Sequence, residues 1–447
     1  YTGEDTLSLH DALPILQNKE GYQLIIAPKQ VLIKGGSPAG VFYGIQTLLQ
    51  QLTNGDLRCG TIEDAPRYEW RGYMLDEARH FSGEKRVKQI LDLMAYYKMN
   101  RFHWHLTDAQ GWRIEIKQYP ILATIGGEGC HSDPDTPAQY YTQEQIRDII
   151  AYAKERHIEI IPEIDMPGHA EAALHSYPEL GCFNRPVEIP KLGFTPNIFC
   201  AGKENTLQFL KNVLDEICTL FPSPYIHLGG DEAPKDNWNK CPDCQKRIAD
   251  LGLKNSHDLQ LWFSAQMAEY LKSKGKKAIF WGDVVYNDGY PLPDNIVIQW
   301  WNYRGHKDLA LRNALRHHYP VICSTNYYTY LNFPLTPWKG YEQARTFDLK
   351  DVYMNNPSYK ATQESNPLIR GMGCALWTDD GVKEYMIDRR LFPRILALAE
   401  QMWHNGPLMD FDAFYQRILH KKKWFENRGY GFGPALTEET DNNYKWE

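Results

Sequence analysis

Two adjacent carboxyl side chains, Asp231 and Glu232, are the residues whose types and spacing most restrict the chemistry they could do. They follow the apolar stretch 225–228 and the glycines Gly229 and Gly230, which permit an irregular strand end and close backbone approach. Two carboxyl groups that flank a glycosidic bond must lie about 5–5.5 Å apart, or about 6.5–9.5 Å apart for inversion. Adjacent residues do not easily straddle a bond in this way. The pair therefore favours one acid and base beside a residue that holds a nucleophile supplied by the substrate; a solvated acidic turn is the alternative.

His169 is a second candidate for acid–base chemistry. It stands four residues after Asp165, in a loop constrained by Pro167 and Gly168. Histidine changes its charge near neutral pH, and a place shortly after a strand-end carboxylate favours a catalytic role. A helix-capping or packing histidine explains the same position equally well.

Aromatic side chains are abundant, with 13 tryptophans and 28 tyrosines. Aromatics usually fill a core, but the apolar face of a pyranose also stacks on an indole ring. Trp281, Trp301 and Trp377 stand at the ends of three different candidate strands. We therefore expect them to converge as an aromatic wall, as a sugar subsite requires.

Eight short hydrophobic stretches alternate with helical patterns from residue 70 onward. They are continuously apolar, as strands of a parallel sheet buried on both faces are. Eight strand–helix units predict an α/β fold, a (β/α)8 TIM barrel. The alternative, an open doubly wound sheet, would want a Gly-rich phosphate loop, and none is present. The predicted strands are 70–76, 101–108, 158–165, 225–232, 277–284, 296–302, 320–326 and 371–379.

The active residues of such a barrel lie at the C-terminal ends of its strands. Polar and aromatic residues crowd these ends in the sequence, which packing alone does not explain. They are Asp76 with Arg79, Asp108, Asp165 with His169, Asp231 with Glu232, Trp281 with Asp283, Trp301, Tyr330, and Trp377 with Asp379.

The barrel is expected to occupy residues 66–410. A small α+β domain at 16–65 precedes it, and 411–447 is predicted to form a helix and a polar tail. Residues 6–15 read TLSLHDALPI, which resembles a translated sequencing adapter. We interpret residues 1–15 as a read-through artefact, which resequencing of the source DNA would test; a short amphipathic helix is the alternative.

The composition is that of a soluble globular chain. It is 43% hydrophobic and 23% charged, with a mean hydropathy of -0.54, which excludes disorder and collagen-like repeats. No apolar run approaches the length of a membrane span. The net charge of -7, without a basic block, argues against a nucleic-acid or anionic-membrane partner. No targeting signal can be read at the N-terminus.

Nine cysteines are too few for a disulfide scaffold. Cys241 and Cys244 form one Cys-x-x-Cys pair. A zinc site normally needs a second pair or histidine partners at a matching spacing, and none stands out. We therefore expect a loop disulfide or two free thiols here, and no metal.

Several motifs in a fixed order resemble those of family-20 glycoside hydrolases, the β-N-acetylhexosaminidases, over roughly residues 20–405. The resemblance implies a barrel after a small α+β domain and no metal or organic cofactor. It implies an exo-acting retaining enzyme that removes terminal β-linked GlcNAc or GalNAc from glycoconjugates or chitooligosaccharides. The matching stretches are RGYMLD at 71–76, ARHF at 78–81, HWHLTDAQGWR at 103–113, PEIDMPGH at 162–169 and HLGGDE at 227–232.

The resemblance also implies a role for each site residue. Glu232 would protonate the leaving oxygen and then act as base for water, while Asp231 would hold the substrate's acetamido N–H and stabilise an oxazolinium ion. Tyr330 would bond the acetamido carbonyl. Such substrate-assisted catalysis agrees with the adjacent carboxyl pair. The other implied site residues are the acetamide-pocket walls Trp281, Trp301 and Trp377, the sugar-binding Arg79, and Asp108 with His169 as a relay to Glu232.

Two positions depart from the family pattern. Asn332 stands where the family usually has Asp, and Asp379 stands where it usually has Glu. Both positions contact the far hydroxyls of the sugar in the family. The resemblance therefore implies altered recognition around O4 and O6, such as tolerance of GalNAc or of 6-substituted GlcNAc, with the chemistry intact.

Cys182 and Cys200 fall where the family often has a disulfide. The resemblance therefore implies an oxidising compartment, periplasmic or secreted in a bacterium. Two other functions stay open: a catalytically silent glycan-binding relative, and an enzyme that releases a disaccharide such as lacto-N-biose. The natural glycan and the oligomeric state cannot be read from the sequence.

Overall fold

The computed structural model describes residues 14–52, 57–130, 133–191, 193–335, 346–379, 382 and 386–437. Of the segment 1–15 interpreted as adapter-derived, only Pro14 and Ile15 fall within these ranges, at the start of the 3₁₀ helix Pro14–Gln17. No helix in the described ranges is both long and apolar enough to cross a membrane.

A three-stranded antiparallel sheet with one helix forms the N-terminal unit. Its elements are β1 (Tyr22–Ala27), β2 (Gln30–Gly35), α1 (Pro38–Leu52) and β3 (Gly60–Asp64), with β1 in the centre. These three strands and one helix have the mixed content expected of the small α+β domain. Tyr22, Leu24 and Tyr43 form a small core that Trp403 of the barrel completes.

Eight parallel strands close into a barrel, which confirms the predicted (β/α)8 fold. A two-residue hairpin, β6 with β7, follows the second of them. Bulky side chains from alternate positions, including Trp70, Ile161 and Ile279, fill the barrel interior. The strands are β4 (Trp70–Asp76), β5 (Arg101–His105), β6 (Thr107–Asp108), β7 (Gly111–Trp112), β8 (Glu159–Glu163), β9 (Tyr225–His227), β10 (Lys277–Trp281), β11 (Ile296–Trp300), β12 (Val321–Cys323) and β13 (Ile369–Leu376).

Helices of unequal length surround the barrel. Amphipathic α4 begins with a capping box, in which Thr142 and Gln145 make both reciprocal hydrogen bonds. The helices are α2 (Gly83–Tyr96), α3 (Ile121–Thr124), α4 (Gln143–Lys154), α5 (Glu171–Ser176), α6 (Glu204–Leu220), α7 (Asp236–Lys240), α8 (Pro242–Leu251), α9 (Ser256–Ser273), α10 (Tyr303–His306), α11 (Leu309–Arg316), α12 (Asn326–Thr329), α13 (Leu349–Asn355), α14 (Pro357–Thr362), α15 (Ile387–Leu391), α16 (Arg394–Trp403) and α17 (Phe411–Glu426).

All eight predicted barrel strands exist, but seven of them end earlier than predicted. The strand predicted over 225–232 stops at His227, because Gly229 and Gly230 adopt positive φ angles and leave the sheet. The residues that follow the shortened strands form loops at one rim of the barrel. The candidate side chains are therefore carried mainly by these loops rather than by the strands.

Arg71 of β4 joins the N-terminal unit to the barrel. Its fully buried guanidinium contacts both carboxylate oxygens of Glu20, at 2.9 Å from Nη1 and 2.8 Å from Nη2. Its Nε donates to the Lys98 carbonyl at 2.7 Å. Burial alone would raise the pKa of Glu20, but the bonds from Arg71 lower it. The pair is therefore ionised and compensated within the fold.

Glu20→Gln is expected to lower the free energy of unfolding by about 2–4 kcal/mol, because it leaves the Arg71 charge buried without its partner. Thermal unfolding of the purified variant measures the effect. The matched control is Glu69→Gln, whose carboxylate pairs with Arg370 where both side chains are exposed, and it should cost less than about 0.5 kcal/mol. Equal losses for the two variants would contradict the role of this ion pair.

Candidate active site

A cavity of about 430 Å³ opens at the C-terminal rim of the barrel, where the sequence predicts the site. Five of the residues that line it were not predicted: Asn302, Arg304, Gly305, Asn326 and Phe333. The other lining residues were predicted from the sequence, and they are Arg79, Asp108, His169, Asp231, Glu232, Trp301, Tyr330, Asn332, Trp377 and Asp379.

The backbone that leads to the carboxyl pair is sharply bent. Gly229, Gly230 and Glu232 have φ angles of 64°, 93° and 45°. A Cβ atom on Gly229 would lie 1.7 Å from Asp165 Oδ1, so only glycine fits there. The Gly230 N–H donates to the same oxygen at 3.2 Å. A left-handed conformation is uncommon for glutamate, and strain of this kind clusters at functional sites.

Asp231 and Glu232 occupy different environments although they are adjacent. Asp231 is buried, whereas the Glu232 side chain is 42% exposed. Within the described residues, Asp231 Oδ1 has no hydrogen-bond partner. Burial raises the pKa of Asp231 well above its ordinary value, the Asp165 carboxyl raises it further, and His169 opposes this rise. Asp231 thus presents a buried acceptor that lacks a donor, which costs about 1–3 kcal/mol unless a ligand supplies one.

A chain of buried acids and imidazoles runs from the barrel interior to the cavity. Glu163 Oε2 lies 2.5 Å from His105 Nδ1, and His105 Nε2 lies 2.8 Å from Asp108 Oδ2. Asp108 Oδ1 in turn lies 3.0 Å from His169 Nδ1. The chain ends at His169 Nε2, 3.6 Å from Glu232 Oε2.

The charges along this chain favour a protonated His169. Burial alone would lower the pKa of His169, but Asp108 and Asp231 together raise it well above its ordinary value. Burial likewise opposes the ionisation of Asp108, yet Arg79 and His169 hold its pKa below the usual range. A cation therefore stands between Asp108 and the carboxyl pair.

Arg79 lines the cavity and is held by two carboxylates. Its Nη1 lies 3.1 Å from Asp76 Oδ2, and its Nη2 lies 2.8 Å from Asp108 Oδ2. Its Nε donates to Gln110 Oε1 at 3.0 Å, and the guanidinium lies 5.3 Å from the centre of a Trp377 ring. The group is oriented by these contacts before any ligand binds.

Trp301 and Trp377, two of the three tryptophans expected to converge, form an aromatic wall together with Tyr330. The Trp301 and Tyr330 rings are nearly parallel, with centres 6.3 Å apart, and the Tyr330 and Trp377 rings are 5.9 Å apart. Trp301 Nε1 donates to Asp283 Oδ2 at 2.6 Å, which fixes the orientation of the indole. Asp283 Oδ1 also accepts the Glu232 N–H at 3.4 Å.

Trp281 does not line the cavity, so its predicted place in the wall is corrected. The residue is 1% exposed, its Nε1 donates to Glu163 Oε1 at 2.9 Å, and its ring supports Trp377 at 5.8 Å. The reason lies in the strand ends. Trp281 is the last residue of β10, whereas Trp301 and Trp377 each come one residue after their strands.

Asn332 and Asp379, the two residues that depart from the family pattern, meet at the cavity wall. Asn332 Nδ2 donates to Asp379 Oδ1 at 3.5 Å, and Asn332 Oδ1 has no partner among the residues that the structure describes. Burial raises the pKa of Asp379 to about 7, although Arg79 opposes the rise. The pair therefore offers both a donor and acceptors to sugar hydroxyls.

The sequence analysis did not identify the group around Glu163, at the interior end of the chain of acids and imidazoles, as a functional unit. Glu163 also lies 2.7 Å from His103 Nε2 and 3.1 Å from His227 Nδ1, so three imidazoles surround one carboxylate. The signal was present in the sequence, because three strands of the predicted barrel carry these polar residues among apolar ones. His103, Glu163 and His227 could hold a metal, as could Asp165, His169 and Asp231. In both groups histidine already contacts a carboxylate, and we assign no metal to either.

The implied Cys182–Cys200 disulfide is not formed. Cys182 and Cys200 are both free thiols, and the Cys200 sulfur lies 3.7 Å from that of Cys241 and 3.5 Å from that of Cys244. Cys182 Sγ lies 4.0 Å from Cys244 Sγ. The partner pair that the sequence did not reveal for Cys241 and Cys244 is therefore Cys182 and Cys200, which the fold brings from a distant loop.

Comparisons with known proteins agree with this architecture. The family model described as "Glycosyl hydrolase family 20, catalytic domain" matches residues 68–406, and that of "Glycosyl hydrolase family 20, domain 2" matches residues 3–65. A beta-hexosaminidase of Porphyromonas gingivalis is 38% identical over 98% of this chain, and the chain spans 57% of that protein's length. A beta-hexosaminidase of Akkermansia muciniphila is 31% identical, with 97% of this chain and 89% of the relative covered.

Solved structures give the same result. The crystal structure of a beta-N-acetylhexosaminidase from Bacteroides fragilis is similar with a TM-score of 0.90 and 60% identity, covering 96% of this chain and 86% of that one. A mutant Streptomyces plicatus beta-hexosaminidase in complex with its product GlcNAc has a TM-score of 0.79 and 31% identity, covering 94% and 83%. The matched catalytic domain, the closed barrel and the grouped motifs lead to one conclusion: this chain belongs to glycosyl hydrolase family 20.

Proposed function

We propose that this chain is an exo-acting retaining β-N-acetylhexosaminidase that hydrolyses terminal β-linked GlcNAc or GalNAc from glycoconjugates or chitooligosaccharides. The observation that carries the proposal is Asp231 Oδ1, a buried acceptor for which the described residues supply no donor. The N–H of a 2-acetamido group would satisfy it. The names of the relatives, which include beta-hexosaminidases, support the same activity.

The first half-reaction forms one bond and breaks another. Asp231 accepts the acetamido N–H, and the Tyr330 hydroxyl donates to the acetamido carbonyl, which aims that oxygen at C1. Glu232 donates its proton to the glycosidic oxygen as the C1–O bond breaks. The carbonyl oxygen bonds to C1, and the resulting oxazolinium cation is stabilised by the Asp231 carboxylate.

The second half-reaction restores the site. Glu232, now ionised, takes a proton from water, and the water oxygen attacks C1 as the bond from C1 to the acetamido oxygen breaks. Two displacements at C1 leave its configuration retained. The wall of Trp301, Tyr330 and Trp377 excludes water from the acetamide, which strengthens the contacts of Asp231. Protonated His169 lies 3.6 Å from both carboxyl groups and moderates their mutual repulsion.

Glu232→Gln is expected to lower kcat by about 10²–10⁴-fold, because it removes the acid and base. The loss should be smaller on a dinitrophenyl β-GlcNAc than on chitobiose, since a good leaving group needs little protonation. Steady-state kinetics on both substrates measure the difference.

The matched control for that variant is Glu269→Gln, which changes an exposed glutamate on α9 and should leave kcat unchanged. Equal background rates in the wild type and in Glu232→Gln would contradict the proposed hydrolase. They would favour the alternative of a catalytically silent glycan-binding relative.

Asp165→Asn is expected to shift the acid limb of the pH profile of kcat/KM to lower pH by about one unit. A negative neighbour opposes ionisation, and Asp165 is the largest charge that raises the Asp231 pKa after burial. Its removal lets Asp231 ionise at a lower pH, while an asparagine still accepts the Gly230 N–H. An unchanged or upward-shifted acid limb would argue against Asp231 as the group that must be ionised. Asp294→Asn, at an exposed ion pair, is the control.

The Asn332–Asp379 pair supports a relaxed specificity around O4 and O6 as part of the proposal. Aryl β-GlcNAc and β-GalNAc should have kcat/KM values within about tenfold of each other, and 6-sulfated GlcNAc should be accepted. Asn332→Asp should lower kcat/KM for the 6-sulfated substrate by about tenfold or more, because it places a negative charge near the sulfate. Strict gluco preference with rejection of the sulfated substrate would refute this specificity.

Two further points belong to the proposal. Release of a disaccharide such as lacto-N-biose is the remaining alternative, and hydrolysis of an aryl lacto-N-bioside without hydrolysis of aryl GlcNAc would favour it. A periplasmic or secreted location in a bacterium is proposed on the family resemblance alone, because the Cys182–Cys200 disulfide that would support it is not formed.

A further inference from the structure

Four buried cysteines outside the sugar cavity form one compact cluster. Cys182, Cys200, Cys241 and Cys244 each place their sulfur within 4.8 Å of the other three. Three of these residues are fully buried and Cys182 is 9% exposed. The catalytic proposal uses none of them, and they come from two distant segments of the chain.

We propose that this cluster is a structural zinc site with four thiolate ligands. Zinc binds thiolates at about 2.3 Å in a tetrahedron, which places any two sulfurs about 3.8 Å apart. The sulfur–sulfur distances of 3.5, 3.7 and 4.0 Å agree with that geometry. A disulfide would instead need one sulfur pair at about 2.05 Å. Here no pair is singled out, because Cys200 and Cys244 each have two near sulfurs.

The surroundings of the cluster suit its charge. Four thiolates and one Zn²⁺ carry a net charge of about -2. Cys241 and Cys244 lie at the N-terminal end of the ten-residue helix α8, whose dipole favours anions. Lys203 Nζ donates to the Gly181 carbonyl at 2.5 Å, and Arg247 Nη2 donates to the Gly202 carbonyl at 3.1 Å. Hydrogen bonds to backbone carbonyls therefore hold both cations close in sequence to the ligand residues Cys182 and Cys200.

The two segments that carry the cysteines approach each other closely at Gly202. A Cβ atom on Gly202 would lie 2.3 Å from the Cys244 backbone nitrogen, so a side chain there would separate the two ligand segments. The Trp238 indole donates to the Phe199 carbonyl at 3.0 Å, next to Cys200. The segments are thus joined tightly whether or not their sulfurs share a metal.

The site would connect two loops that carry the carboxyl pair and its imidazole. Cys182 and Cys200 lie in the loop after β8, which also holds His169. Cys241 comes nine residues after Glu232, in the loop after β9. The Phe199 N–H donates to the Pro167 carbonyl at 2.9 Å, two residues before His169. Zinc would therefore position these loops relative to each other, and it would take no part in bond cleavage.

Elemental analysis of the 447-residue chain, purified without chelator, tests the proposal. We expect about one zinc per chain, lost in Cys244→Ser and kept in the matched control Cys218→Ser, whose cysteine lies on α6 outside the cluster. The same chain loaded with Co²⁺ should show the thiolate-to-cobalt charge-transfer band and the visible bands of a tetrahedral site. This second measurement needs no variant, so it stands even if Cys244→Ser does not fold.

Thiol titration of the unfolded, unreduced protein distinguishes zinc from disulfides. With chelator present, the zinc site predicts nine reactive thiols, the full cysteine count. Two disulfides within the cluster would leave five thiols, one would leave seven, and either count overturns the proposal. Nine thiols with no zinc bound, even after zinc is added, would also overturn it, as would stoichiometric iron in place of zinc.

Discussion

The burial of the Asp231 carboxylate with one oxygen left unpaired is the constraint on which the rest of the site depends. A buried carboxylate is costly unless its hydrogen bonds and charge are compensated. The protein compensates the second oxygen only in part, through His169 at 3.6 Å. The first oxygen is left, within the described part of the molecule, to be satisfied by a donor from outside. The bent backbone at Gly229 and Gly230 holds the residue in this position, since a side chain on Gly229 would collide with Asp165.

The acidic and basic groups between Asp231 and the barrel interior alternate in sign, and each is hydrogen-bonded to the next. Glu163, His105, Asp108 and His169 form one hydrogen-bonded line from the interior to the cavity. Arg79 adds a second cation at Asp108. Low local dielectric strengthens each of these contacts, and it also makes the loss of any one of them costly. The relay is therefore a means of keeping a protonated imidazole beside two carboxyl groups in the proposed reaction.

Much of the fold and site could be predicted because both follow from local patterns. Continuously apolar strands that alternate with helical patterns indicated the barrel, and polar residues at the strand ends indicated the rim that carries the site. The residues at which the barrel strands end were harder to predict. Trp281 was wrongly assigned to the wall because one residue of difference at the end of β10 decides between core and cavity.

Long-range convergence was the part that local patterns could not predict. Cys182 and Cys200 lie in a different loop from Cys241 and Cys244, so no spacing rule identifies the four as one group. The implied disulfide was wrong for the same reason: Cys200 also has the sulfurs of Cys241 and Cys244 within 3.7 Å, from a segment more than 40 residues away. Glu163 and its three histidines likewise meet only when the barrel closes.

In the proposed mechanism the substrate's own acetamido oxygen is the nucleophile, and Asp231 orients it. The most direct test is a series of aryl glycosides whose 2-acetamido group carries none, one, two or three fluorine atoms. Fluorine withdraws electrons from the carbonyl oxygen, so the proposed mechanism predicts that kcat/KM falls steeply with each fluorine added. Rates that are independent of fluorine number would contradict it and would require a nucleophile from the protein.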